Sequence, residues 1–145
     1  MKVRLSAAVV VALGLAVLVV ASTATAGGTF RRAALSGGAS GDPDATGVAI
    51  FQLNAAQGTV CFYFDVKNLD GVVTAAHIHS VATNAIVIPL APVSGARASG
   101  CVTGQDSAVV KDIARHPEDY YLNIHTDLFP AGAVSGILGN QGSII

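Results

Sequence analysis

Charge is scarce in this 145-residue chain: Asp, Glu, Lys and Arg make up 12% of it, and no basic run is longer than the Arg31-Arg32 pair. Without a concentrated positive stripe the chain has nothing to draw it to nucleic acid or to an anionic membrane surface. Cysteine is scarcer still. Cys61 and Cys101 are the only two, and with no Cys-x-x-Cys spacing neither a metal knuckle nor a thioredoxin-type redox motif can be drawn. There is no Gly-x-Ser-x-Gly elbow and no phosphate-cradling glycine loop ahead of a helix, and no carboxylate pair stands out among the nine scattered acids. Glu118 and Asp119 adjoin, but they follow Pro117 at a helix exit, where a solvated turn explains them. The chain also lacks an internal repeat, so a single domain is expected.

Long apolar runs occur once, at the amino end. Lys2 and Arg4 precede a stretch of 16 residues from Leu5 to Val20, apolar but for Ser6, which then turns small and polar. A spanning helix needs roughly 20 residues, so the run falls short of a membrane anchor. Ala24-Thr25-Ala26 supplies the small-x-small pattern of a signal peptidase site, and the segment 1–26 reads as a secretory leader cleaved before Gly27. No cysteine near that point supports lipid anchoring. With Lys2 and Arg4 gone, the remaining 119 residues carry six Lys and Arg against nine Asp and Glu, a formal −3. The expectation is one exported domain over 27–145, secreted or held at the cell envelope, with no membrane span after cleavage.

An exported chain meets an oxidising compartment, and two cysteines allow one connectivity, so Cys61 and Cys101 are expected to pair. Two buried thiols or a soft-metal site are the alternatives.

Beyond the leader, short apolar-alternating segments recur between turn signals. They cover Thr29 to Leu35, Gly47 to Leu53, Thr59 to Asn68, Val73 to His79, Ile86 to Leu90, Ser99 to Val102, Tyr120 to His125 and Ala133 to Leu138. Gly37-Gly38, Gly41-Asp42-Pro43-Asp44, Gln57-Gly58, Asp70-Gly71 and Pro130-Ala131-Gly132 supply the breaks. In the third segment Val60, Phe62, Phe64 and Val66 share one face, a core face, while Cys61, Tyr63, Asp65 and Lys67 share the other. One helix is expected from Ser107 to Arg115, capped by Asp106, striped by Val109, Val110 and Ile113 and stopped by Pro117. The fold class is therefore all-β: an antiparallel sandwich or barrel of about seven to eight short strands, one short helix and one disulfide.

Three of the four histidines fall in two of those segments, Ala75-Ala76-His77-Ile78-His79 and Tyr121-Leu122-Asn123-Ile124-His125. If Ala76, Ile78, Leu122 and Ile124 face the core, then His77, His79, Asn123 and His125 face outward, and on neighbouring strands the imidazoles would cluster. Neutral imidazole is a ligand for copper and zinc, and two histidines at i and i+2 project from one strand face at bridging distance. Asp127 is a candidate fourth ligand or a group that orients an imidazole. The alternative is purely structural, with the rings hydrogen-bonding to hold two strands and the Asp127 loop in register. His116, between helix and Pro117, has no patterned partner and is expected to face solvent. Tyr63, Tyr120 and Tyr121 read as half-buried strand residues.

The same segments carry a family resemblance. Ala76-His77-Ile78-His79, Ile86-Val87-Ile88-Pro89-Leu90, Gly100-Cys101-Val102 and the run from Tyr120 to Gly136 resemble the CHRD module, first described as the repeated unit of the secreted growth-factor antagonist chordin. The most specific part is Asn123-Ile124-His125-Thr126 followed by Phe129-Pro130-Ala131-Gly132-Ala133-Val134; upstream, Ala34-Leu35-Ser36-Gly37 and Ala45-Thr46-Gly47 extend it. The resemblance implies a single-copy, exported microbial member of a group whose biochemical role is largely unassigned. The chain departs from the family pattern at Ser135-Gly136-Ile137, where an Arg and then Gly-Gln are usual, and in the short loop from Ser80 to Ala85. The His-x-His alternation is also similar to that of Cu/Zn superoxide dismutases. No histidine follows His79 until His116, however, so their bridging ligand and separate zinc loop have no counterpart. The functional expectation is a non-catalytic binding or structural module, its partner an extracellular protein or glycan, with a copper or zinc site at His77, His79 and His125 as the alternative.

Overall fold

The computed structural model describes residues 27–140; the leader read in 1–26 lies outside the described residues. Eight strands follow in chain order: β1 Thr29–Ser36, β2 Thr46–Asn54, β3 Thr59–Lys67, β4 Val73–Ser80, β5 Ile86–Leu90, β6 Arg97–Val102, β7 Tyr120–Thr126 and β8 Val134–Ile137. All pairings are antiparallel, in the order β5-β4-β7-β8-β1-β2-β3-β6. The two end strands, β5 and β6, approach each other without forming a ladder, so the sheet is a nearly closed barrel.

Period-two alternation puts one face of each strand inside. In β3, Val60, Phe62, Phe64 and Val66 are buried, as the alternation predicts. Phe51 and Leu53 from β2, Ile78 from β4, Ile88 from β5, Leu122 and Ile124 from β7, and Val134 from β8 complete the core with them. At about 1.5–3 kcal/mol for each large side chain taken from water, this interior is the main source of stability.

The helix α1, Ser107–Arg115, is where the sequence places it. The Asp106 carboxylate accepts the Ala108 backbone N–H at 2.7 Å, and Val110 and Ile113 are fully buried. Ser107 Oγ donates to the Ala55 carbonyl at 2.6 Å, tying the helix to the 3-10 turn Ala55–Gln57 that follows β2. At its far end Tyr120 Oη donates to Asp112 at 2.6 Å; burial, then that hydrogen bond, pushes the phenol up to about 12. A second 3-10 turn, Pro117–Asp119, leads into β7.

Cys61 and Cys101 are bonded, and they are direct partners in the β3–β6 register on the outward face. Asp42 departs from its reading as a plain turn residue. It is fully buried, its Oδ2 accepts the Asp70 N–H at 2.7 Å, and its own N–H donates to the Ala133 carbonyl at 2.9 Å. It thereby joins the β1–β2 connection to the β3–β4 and β7–β8 connections.

Candidate metal centre

β4 and β7 are neighbours in the sheet. Their register pairs Ala75 with His125, His77 with Asn123 and His79 with Tyr121, so all three histidines share the outer face with His77 and His125 on a diagonal. The inward set Ala76, Ile78, Leu122 and Ile124 is fully buried beneath them. His79 and Asn123 point outward yet are only 7% and 8% exposed. The cover comes from a neighbouring strand residue and a turn. The Tyr121 ring stacks on His79 with centroids 5.0 Å apart, and the turn after Phe129 folds over Asn123, whose Nδ2 donates to the Ala131 carbonyl at 3.2 Å.

One ring nitrogen from each of His77, His79 and His125 falls within 4.8 Å of the other two. The tautomers follow from the partners. His79 Nδ1 lies 3.1 Å from the Asn84 carbonyl and His125 Nδ1 lies 3.0 Å from the Pro130 carbonyl. A carbonyl oxygen only accepts, so each Nδ1 carries the proton and each neutral ring keeps its lone pair on Nε2. His79 Nε2 is buried and has no hydrogen-bond partner among the described residues, while His125 Nε2 lies 3.3 Å from His77 Nδ1. Two nitrogens bound at about 2.0–2.1 Å to one tetrahedral ion stand roughly 3.3–3.4 Å apart. Burial, and then the proximity of His125 and His79, holds the His77 pKa below its ordinary value, so the neutral ligand form is favoured.

Asp127 is not in this group. Its Oδ1 accepts the Val72 N–H at 2.7 Å, because the residue lies past the end of β7, where the chain turns toward the start of β4. His116 is exposed, 4.0 Å from Glu118, away from the cluster. Two groups that orient the rings escaped sequence reasoning, the carbonyls of Asn84 and Pro130, since backbone oxygens leave no side-chain signature. For Asn84 a weak signal existed. It sits at φ 58 in the short loop after β4, a conformation Asn tolerates, and its Oδ1 accepts from Tyr121 Oη.

No helix of the described residues is long and apolar enough to cross a membrane. No curated protein matches the chain. A family model for the CHRD domain matches residues 31–138, from β1 past the end of β8 and through every histidine described above, and the chain belongs to the CHRD domain family.

Proposed function

We propose that the protein is an exported, non-catalytic β-module that holds one copper or zinc ion at His77, His79 and His125. The observation that carries the reading is the buried Nε2 of His79, without a partner among the described residues, beside a His77 to His125 nitrogen separation of 3.3 Å. A buried acceptor without a partner costs about 1–3 kcal/mol, and a metal ion would relieve it. The ligand set has no thiolate and no carboxylate, which suits an imidazole-preferring transition ion over calcium or magnesium. Backbone carbonyls behind two of the rings fulfil the orienting role that outer partners play at metal-bound histidines. His77 would present Nδ1 after shifting its proton to Nε2. Export rests on the leader, and the absence of catalysis on the lack of a nucleophile or base motif in the sequence together with the family.

The test is metal stoichiometry of the tag-free protein titrated with Cu²⁺ and with Zn²⁺, beside the His77→Ala/His79→Ala variant. One equivalent bound by the parent and lost in the variant is expected. No saturable binding of either ion would overturn the reading and leave the histidines as a strand-pinning cluster.

A further inference from the structure

Half of the six Lys and Arg beyond the leader line a single cavity. Arg31 from β1 and Lys111 and Arg115 from α1 border a space of about 330 Å³ whose floor includes Leu53, Ala55 and Ala114. No Asp or Glu of the described residues lines it. Lys111 and Arg115 are four residues apart on one helix, hence on one face, and like charges at that spacing repel. Neither forms an ion pair among the described residues, whereas Lys67 and Arg97 elsewhere share Asp65 at 3.2 and 2.7 Å. Arg31 is anchored: Nη1 donates to the Phe30 carbonyl at 2.7 Å and Nη2 to the Ala114 carbonyl in the last turn of α1. Its Nε is buried without a hydrogen-bond partner among the described residues.

The helix end accounts for part of this arrangement, because the carboxyl terminus of a helix carries a partial negative charge near one half. Three full positive charges exceed it, in a domain whose net charge beyond the leader is negative. We propose that this cavity binds an anionic group, a carboxylate, sulfate or phosphate carried on a larger ligand, with the anion between Arg31, Lys111 and Arg115 and the apolar remainder over Leu53 and Ala55. The site draws on Gly27 ahead of β1, β1 itself, the end of β2, the 3-10 turn Ala55–Gln57 and α1, and none of these carries a histidine of the cluster. It therefore stands or falls independently of metal binding.

The purified protein is titrated by amide NMR with inorganic phosphate, a sulfated disaccharide and trigalacturonate, with maltotriose as the neutral control. Saturable shifts centred on Arg31, Lys111 and Arg115 with at least one anionic probe, none with maltotriose, and binding weaker by about tenfold or more in Lys111→Gln/Arg115→Gln are expected. Gln keeps helix propensity close to that of Lys and Arg, and the exposed single change Arg115→Glu, expected to weaken binding in the same direction, serves as a second variant. Preference for trigalacturonate assigns a carboxylate ligand; preference for the other two assigns a sulfate or phosphate ester. Absence of shifts at millimolar concentration of every anionic probe, or undiminished affinity in both variants, overturns the proposal.

Discussion

His77 Nδ1 and His125 Nε2 meet at 3.3 Å although the two residues are not register partners; His77 stands opposite Asn123, and His125 opposite Ala75. The diagonal contact places His77 among imidazoles rather than beside a carboxylate, which determines how the site responds to acid. The His77 pKa is depressed in the folded protein, by burial first and the neighbouring histidines next. Above the unfolded value of about 6.5 both states are neutral here and the native contribution is complete; as pH falls below it the unfolded chain takes the proton first, and stability is lost down through the folded pKa. Urea midpoints of metal-free protein near pH 7.5 and near pH 5.5 are expected to fall further for the parent than for His77→Gln. Equal drops would contradict the role assigned to this ring.

Gly132 supports the site from behind. It adopts φ 135, and a Cβ there would stand 2.3 Å from Asn123 Oδ1. Gly132→Ala is expected to cost about 2 kcal/mol by combining a disfavoured backbone with a side-chain collision. The same change displaces the Pro130 carbonyl that fixes the His125 tautomer, so metal affinity should fall about 10- to 100-fold. Comparing urea midpoints and metal titrations of the variant separates the two effects, and an unchanged affinity would show that the turn does not orient His125.

Much of this architecture was legible beforehand because it depends on periodicity. Alternation located β3, β4 and β7 and assigned Ala76, Ile78, Leu122 and Ile124 to the core, and the Asp106 cap with the Val110 and Ile113 stripe located α1. Strand order has no local signature. That β4 pairs with β7, although the chain reaches β7 only after β5, β6 and α1, is a long-range pairing, and it turns three scattered histidines into a cluster. Asp127, in sequence a candidate fourth ligand or orienting group, lies past the end of β7, where its carboxylate accepts the Val72 N–H instead. Arg31 and the α1 cations are about 80 residues apart in sequence and meet only through the packing of α1 near β1.

Asp42 carries a structural prediction of its own. A residue placed in a Gly- and Pro-bearing turn is ordinarily solvated, yet this one is fully buried and holds the Asp70 N–H at 2.7 Å. Asp42→Ala would leave that donor unpaired, at a cost of about 1–3 kcal/mol. Hydrogen exchange should show the loss first at the Asp70 amide. Exchange there no faster than in the parent would mean that the β3–β4 connection is held by other contacts.

The disulfide bears on the weakest seam of the barrel. β6 has one strand partner, β3, because its other edge meets β5 without a ladder, and Cys61 and Cys101 bridge β3 to β6 across 40 residues of sequence. On the chain-entropy account, closing a loop of that length restricts the unfolded chain by about 4 kcal/mol, a large share of what a domain of this size has in reserve. Cys61→Ser/Cys101→Ser should therefore lower the urea midpoint steeply and raise amide exchange in β6 more than in β2, which is paired on both sides. A uniform rise across the barrel would instead assign the disulfide's contribution to the unfolded state alone, with no local role in keeping the edge strand seated.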